Sequence, residues 1–97
     1  MNDYLLFMHD DAAPGALATE WGPYLTKLRA SGRFDGGSAI GGGECANKSG
    51  AAGEISAHLV GYLRVRAESV ADARQFLAGN PVYEAGGTVE IRELPKT

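Results

Sequence analysis

Cysteine is almost missing from this chain. A single thiol, Cys45, excludes an intramolecular disulfide. A reducing compartment, the cytoplasm, is therefore the expected residence. Long apolar runs are missing as well, and none comes near the ~20 residues that a membrane span needs. The N-terminal apolar stretch, Leu5 to Met8, follows no basic residue and is too short for a secretory signal. Positive charge is scarce and scattered: nine Lys and Arg stand against twelve Asp and Glu, for a net charge of −3. With no basic cluster, nucleic acid is a poor partner, and a membrane is another. Histidine is limited to His9 and His58. Neither falls at a familiar zinc-ligand spacing, although Asp10 and Asp11 adjoin the first, so no metal is expected.

Glycine is plentiful, with fourteen residues. Most lie between Gly32 and Gly61 or at Gly79, Gly86 and Gly87, where they mark turns and irregular backbone. Ninety-seven residues make one domain, 1–97. A chain of this size buries roughly two-thirds of its unfolded surface, enough for one core layer. A ligand site is thus expected as a cleft at a sheet edge or subunit margin.

The periodicity reads strand, helix, strand twice over. Tyr4 to His9 is an apolar, aromatic run that ends in Asp10, Asp11 and Pro14, which predicts a buried strand and then a loop over Ala12 to Ala18. Thr19 is a candidate N-cap. Trp21, Leu25 and Leu28 stand at i, i+4 and i+7 with Tyr24 on the flank, and Pro23 is acceptable in the first turn. Ser31-Gly32 supplies the helix stop. Arg33 to Ile40 is a second strand, interrupted by Gly36 and Gly37. Such glycines signal a bulge or a close backbone approach. Gly41 to Glu54 reads as a long hairpin loop.

In the third strand, Ala57, Leu59, Gly61, Leu63 and Val65 share one face. His58, Val60, Tyr62 and Arg64 share the other. A helix over Ser69 to Ala78 opens with a Ser69-x-x-Asp72 capping pattern and buries Val70, Ala73, Phe76 and Leu77. Gly79 and Pro81 stop it. The final strand, Thr88 to Leu94, puts Val89 and Ile91 on one side and Glu90 and Arg92 on the other.

The order β-α-β-β-α-β predicts an α+β, ferredoxin-like sandwich: a four-stranded antiparallel sheet with both helices on one face. The opposite face is of mixed polarity. A homodimer that packs sheet against sheet, a dimeric α+β barrel, is the expected way to cover it.

Candidate chemistry gathers at the end of the first strand. His9 beside Asp10 and Asp11 offers an imidazole next to carboxylates, the residue types of a general base and its proton partner. Trp21, Ser38 and Tyr83 are the candidates to line a cleft there, as an apolar wall and two hydrogen-bond donors. Two glycine-rich strings approach phosphate-binding motifs: GGGECA at 41–46 and GGECANKS at 42–49. Both need a following helix to present its amides. Glycine, alanine and another strand follow instead, so no cofactor is expected. Cys45 has no base near it in sequence and reads as an exposed bystander thiol.

The segments YLLFMHDD (4–11), LRASGRFDGGSAI (28–40) and GNPVYEAGGTVEIREL (79–94) together resemble the YCII-related family, including its DGPF-type branch. The resemblance runs through nearly the whole chain, and the tail is its most specific part. It implies a small ferredoxin-like dimer and, in many members, a histidine and an aspartate near one pocket. Asp10 matches the acid. The position of the family histidine falls near Trp21, so His9 is the candidate replacement from the neighbouring strand. FDGGSAI, residues 34–40, lacks the proline and phenylalanine that name the DGPF branch. The resulting expectation is acid–base chemistry on a small molecule, lyase- or isomerase-like, with His9 and Asp10 as catalytic residues. The alternative is a non-catalytic, ligand-binding or accessory homodimer.

Overall fold

The computed structural model describes residues 1–13 and 18–96 of the chain. The elements follow in the order β1 (Asn2–His9), α1 (Ala18–Ala30), β2 (Phe34–Ala39), β3 (Leu59–Ala67), α2 (Val70–Ala73), a 3₁₀ turn (Arg74–Leu77), α3 (Pro81–Glu84) and β4 (Val89–Leu94). The strands form one sheet in the spatial order β2-β3-β1-β4, and every neighbouring pair is antiparallel. This is the α+β ferredoxin-like arrangement. Each βαβ crossover skips one strand, and the strand inserted between its ends runs antiparallel to both. Most of the loop expected over Ala12 to Ala18 lies outside the described residues. No described helix is long and apolar enough to cross a membrane.

Alternation builds the core. Tyr4, Leu6 and Met8 point inward from β1, and Leu63, Val65 and Ala67 from β3. Tyr24 and Leu28 of α1 cover them, together with Ala73, Phe76 and Leu77 of the second crossover. Full burial of a side chain the size of Leu6 or Val65 stabilises by about 2 kcal/mol. Tyr4 stands opposite Val65, Leu6 opposite Leu63, and Met8 opposite Gly61. A Cβ at position 61 would come within 2.9 Å of Met8 Cε, a close approach that the flexible end of that side chain could relieve by turning aside.

Tyr24 is central rather than flanking. It is buried, and its hydroxyl donates to the Phe76 carbonyl at 2.7 Å. Burial raises the pKa of its phenol. Trp21 and Leu25, expected at the centre of the stripe, are only half-buried. Helix α1 begins at Ala18, so Thr19 lies inside the first turn rather than capping it, and Pro23 sits beyond that turn. Gly32, at φ +72°, ends the helix in the left-handed conformation expected of it.

The second crossover differs from the single helix expected over Ser69 to Ala78. Ser69 does cap it, accepting from the Asp72 amide at 3.0 Å. The α-helix then tightens to 3₁₀ at Arg74. Three residues per turn bring Ala73 and Phe76 onto one line. Val70, at the first helical position, is left 48% exposed. After Gly79 (φ +84°) the chain forms α3, where only a connector was expected.

Two bulges modify the sheet. In β2, Phe34 pairs with Val65 and Gly37 with Leu63, so one extra residue is inserted at the glycine pair. Close approach accompanies it: a Cβ on Gly37 would lie 2.4 Å from the Tyr62 carbonyl oxygen. Both readings of those glycines hold. The second bulge lies where Met8 pairs with Gly61 and His9 with Leu59. It breaks the alternation of β3, which starts at Leu59 rather than Ala57. Val60, expected on the open face, packs against the core instead. The 41–58 segment contains no helix, so its glycine-rich strings present no helical amides to a phosphate.

Candidate functional site

Two sites are built on opposite faces of the sheet. The first is a groove of about 530 Å³ between α1 and the β2 edge. Trp21, Leu25, Phe34, Val60 and Val82 supply its apolar walls, and Arg29, Gly37 and Ser38 also line it. The β2 bulge shapes this edge, and α3 delivers Val82. Among the described residues, no carboxylate pairs with the exposed Arg29 guanidinium. The groove therefore joins apolar surface to one available positive charge.

The second site lies on the open face, where β1 ends. His9 Nε2 is 2.9 Å from Glu90 Oε1, with both side chains partly shielded from solvent. Glu90 Oε2 accepts from Arg92 Nη1 at 3.0 Å. These contacts lower the Glu90 pKa, the Arg92 hydrogen bond first and the His9 hydrogen bond after it. The His58 ring meets His9 edge to face, with centroids 4.9 Å apart. The donor atoms of His9, His58 and Glu90 all lie within 4.8 Å of one another.

The side chains singled out in the sequence do not gather in one cleft. Trp21 and Ser38 both line the groove. The Ser38 hydroxyl bonds its neighbour's carbonyl, at Ala39, at 2.9 Å. Tyr83 is 40% exposed on α3 and lines neither site. His9 stands on the open face, and its hydrogen-bond partner is Glu90 rather than Asp10. Asp10 is exposed just past the strand, and its amide donates to the His58 carbonyl at 2.8 Å. Sequence reasoning placed Glu90 on the open face but missed its pairing with His9. The available signal was strand order: a ferredoxin-like sheet sets β4 beside β1. It also missed Arg29 and Val82, whose roles depend on how the helices dock.

Asp11 is structural. Its carboxylate accepts from the Thr88 amide at 2.7 Å and the Thr88 hydroxyl at 2.6 Å, tying the end of β1 to the start of β4. The hydroxyl bond and then the amide bond hold its pKa below the usual 3.8. A depressed carboxyl stabilises the fold above its unfolded pKa, and that contribution is lost as pH falls through the folded value. Thr88→Val removes the hydroxyl bond. Carbonyl-carbon NMR of Asp11 should then show a pKa closer to 3.8, with a weaker dependence of stability on pH in the acid range. An unmoved Asp11 titration would show that the Thr88 hydroxyl bond is not what lowers it.

No family model matches this chain, and no curated protein matches it in sequence. Among solved structures, it is similar to a 5-chloro-2-hydroxyhydroquinone dehydrochlorinase from Burkholderia phenoliruptrix AC1100, determined in complex with 2,5-dihydroxybenzoquinone. The two share 18% identity, with 98% of this chain and 95% of that one covered, at a TM-score of 0.56. The likeness establishes the shared fold.

Proposed function

We propose that this protein binds a small, planar, oxygen-substituted ring compound in the groove between α1 and β2. The observation that carries this reading is the groove's composition, a cavity of about 530 Å³ with apolar walls and Arg29 beside them. Small-molecule sites combine apolar lining with a few polar groups that orient the ligand. Trp21 and Phe34 offer aromatic surface to a ring, and Arg29 offers charge-assisted hydrogen bonds to its oxygens. The ligand of the structural neighbour, 2,5-dihydroxybenzoquinone, is a ring of this class. A homodimer that packs through the open sheet face remains part of the proposal.

That same compound is the probe for the test. Titrated into ¹⁵N-labelled protein, it should shift the Trp21 indole and the amides of Gly36 to Ala39 saturably. Arg29→Ala should weaken binding about tenfold, the worth of one charge-assisted hydrogen bond. Shifts scattered over the surface, or confined to the open face, would sink the groove reading.

A second reading is favoured by the His9–Glu90 contact. An imidazole oriented by a carboxylate is the arrangement of a general base, and here Glu90 takes the partner role expected of Asp10. Lyase- or isomerase-like proton transfer would then occur at the margin of the open face. The resemblance to the YCII-related family, many of whose members carry a histidine and an aspartate near one pocket, supports it.

A further inference from the structure

We infer that His9, His58 and Glu90 form a binding site for one divalent transition-metal cation of the zinc class. The three residues come from separate parts of the chain: the end of β1, the turn before β3, and β4. Folding nevertheless brings two imidazoles and a carboxylate together, with all donor atoms within 4.8 Å. Bonds of ~2.0–2.2 Å in a tetrahedral shell set neighbouring donors ~3.3 Å apart. His9 Nε2 and Glu90 Oε1, at 2.9 Å, are already near that spacing. The remaining adjustment falls on His58, an exposed side chain in a turn, which can rotate without disturbing the core.

The backbone around the site is fixed. The His9 amide donates to the Thr88 carbonyl at 3.0 Å, and the Asp10 amide to the His58 carbonyl at 2.8 Å. These bonds tie all three segments together beside the bulge at Met8 and His9. Arg92 grips Glu90 Oε2 at 3.0 Å and leaves Oε1 turned to His9. Such an outer contact orients a ligating carboxylate. Two imidazoles and one carboxylate match a known catalytic zinc shell and leave a fourth position for water or a ligand oxygen. The inference is independent of the groove on the other face. It also departs from the proton-transfer reading, because His9 Nε2 gives its lone pair to a cation instead of sharing a proton with Glu90.

The test is isothermal titration calorimetry with zinc chloride. It uses the full chain carrying Cys45→Ser, which removes the exposed thiol as a competing ligand. One zinc per chain is expected. His58→Ala and Glu90→Gln each remove a direct ligand and should weaken binding by more than the ~10-fold that loss of an outer-shell partner costs. Cobalt(II) should give the intense visible bands of tetrahedral coordination, and His58→Ala should abolish them. His58 is exposed, so this variant is expected to fold, and circular dichroism verifies that. Unchanged affinity in folded His58→Ala, or no binding by the parent protein, overturns the assignment. Loss of zinc binding with groove-ligand shifts retained would separate the two sites experimentally.

Discussion

Asn80→Ala is expected to lower folding stability by about 2 kcal/mol, the cost of losing a helix N-cap that satisfies two part-buried amides. Asn80 is fully buried. Its Oδ1 accepts from the amides of Val82 at 3.0 Å and Tyr83 at 3.1 Å, and so caps α3. Pro81 at the first helical position has no N–H to satisfy, which concentrates the capping demand on those two amides. The Asn80 Nδ2 group has no partner among the described protein groups. The residue's stabilising role therefore rests on its acceptor. Asn80→Ser keeps an acceptor and should recover part of the loss. Urea denaturation of the three proteins measures both differences. A cost under about 1 kcal/mol would mean that α3 forms without its cap, held by packing alone.

Gly37→Ala is the second large effect. Its Cβ would stand 2.4 Å from the Tyr62 carbonyl oxygen, 2.8 Å from Leu63 Cδ2 and 3.1 Å from Leu63 Cα. Backbone atoms of a central strand cannot retreat, so β2 must move. Overpacking of this kind costs about 2 kcal/mol. Because β2 is an edge strand, the damage should stay local. Amide exchange should speed up over Phe34 to Ala39 while β1 and β3 remain protected. The groove loses its edge, and binding of a ring compound there should fall with it. Gly36→Ala is the contrasting variant. Nothing crowds its Cβ, but φ is +99°, so the cost is backbone strain of about 1–3 kcal/mol without overpacking. Similar exchange rates in the two variants would mean that close approach at Gly37 does not set the position of β2.

Local signals were readable where one residue type has one physical job. Ser69 capped the helix that follows it, Gly32 ended α1, and the glycine pair in β2 marked both a bulge and a close approach. Signals failed where a neighbour from afar intervened. Tyr24 reads as a flank on a helical wheel, yet the Phe76 carbonyl gives its hydroxyl a buried partner. Val70 fits a buried stripe by spacing, yet at the first position of α2 it is left 48% exposed. Val60 follows the open-face parity of β3 until the bulge beside His9 breaks that parity.

By itself the sequence determined which residues alternate, which turns they enter, and hence the ferredoxin-like order of elements. Those are properties of dihedral preference and hydrophobic period, encoded within a few residues. Tertiary structure alone decided which side chains meet. His9 and Glu90 are 81 positions apart, and their contact depends on the register of β1 on β4. Register answers to the packing of the whole sheet, since a period of two assigns a face and never a partner. The same holds for Arg29 and Val82, which reach one groove only because α1 and α3 dock on the same side of the sheet.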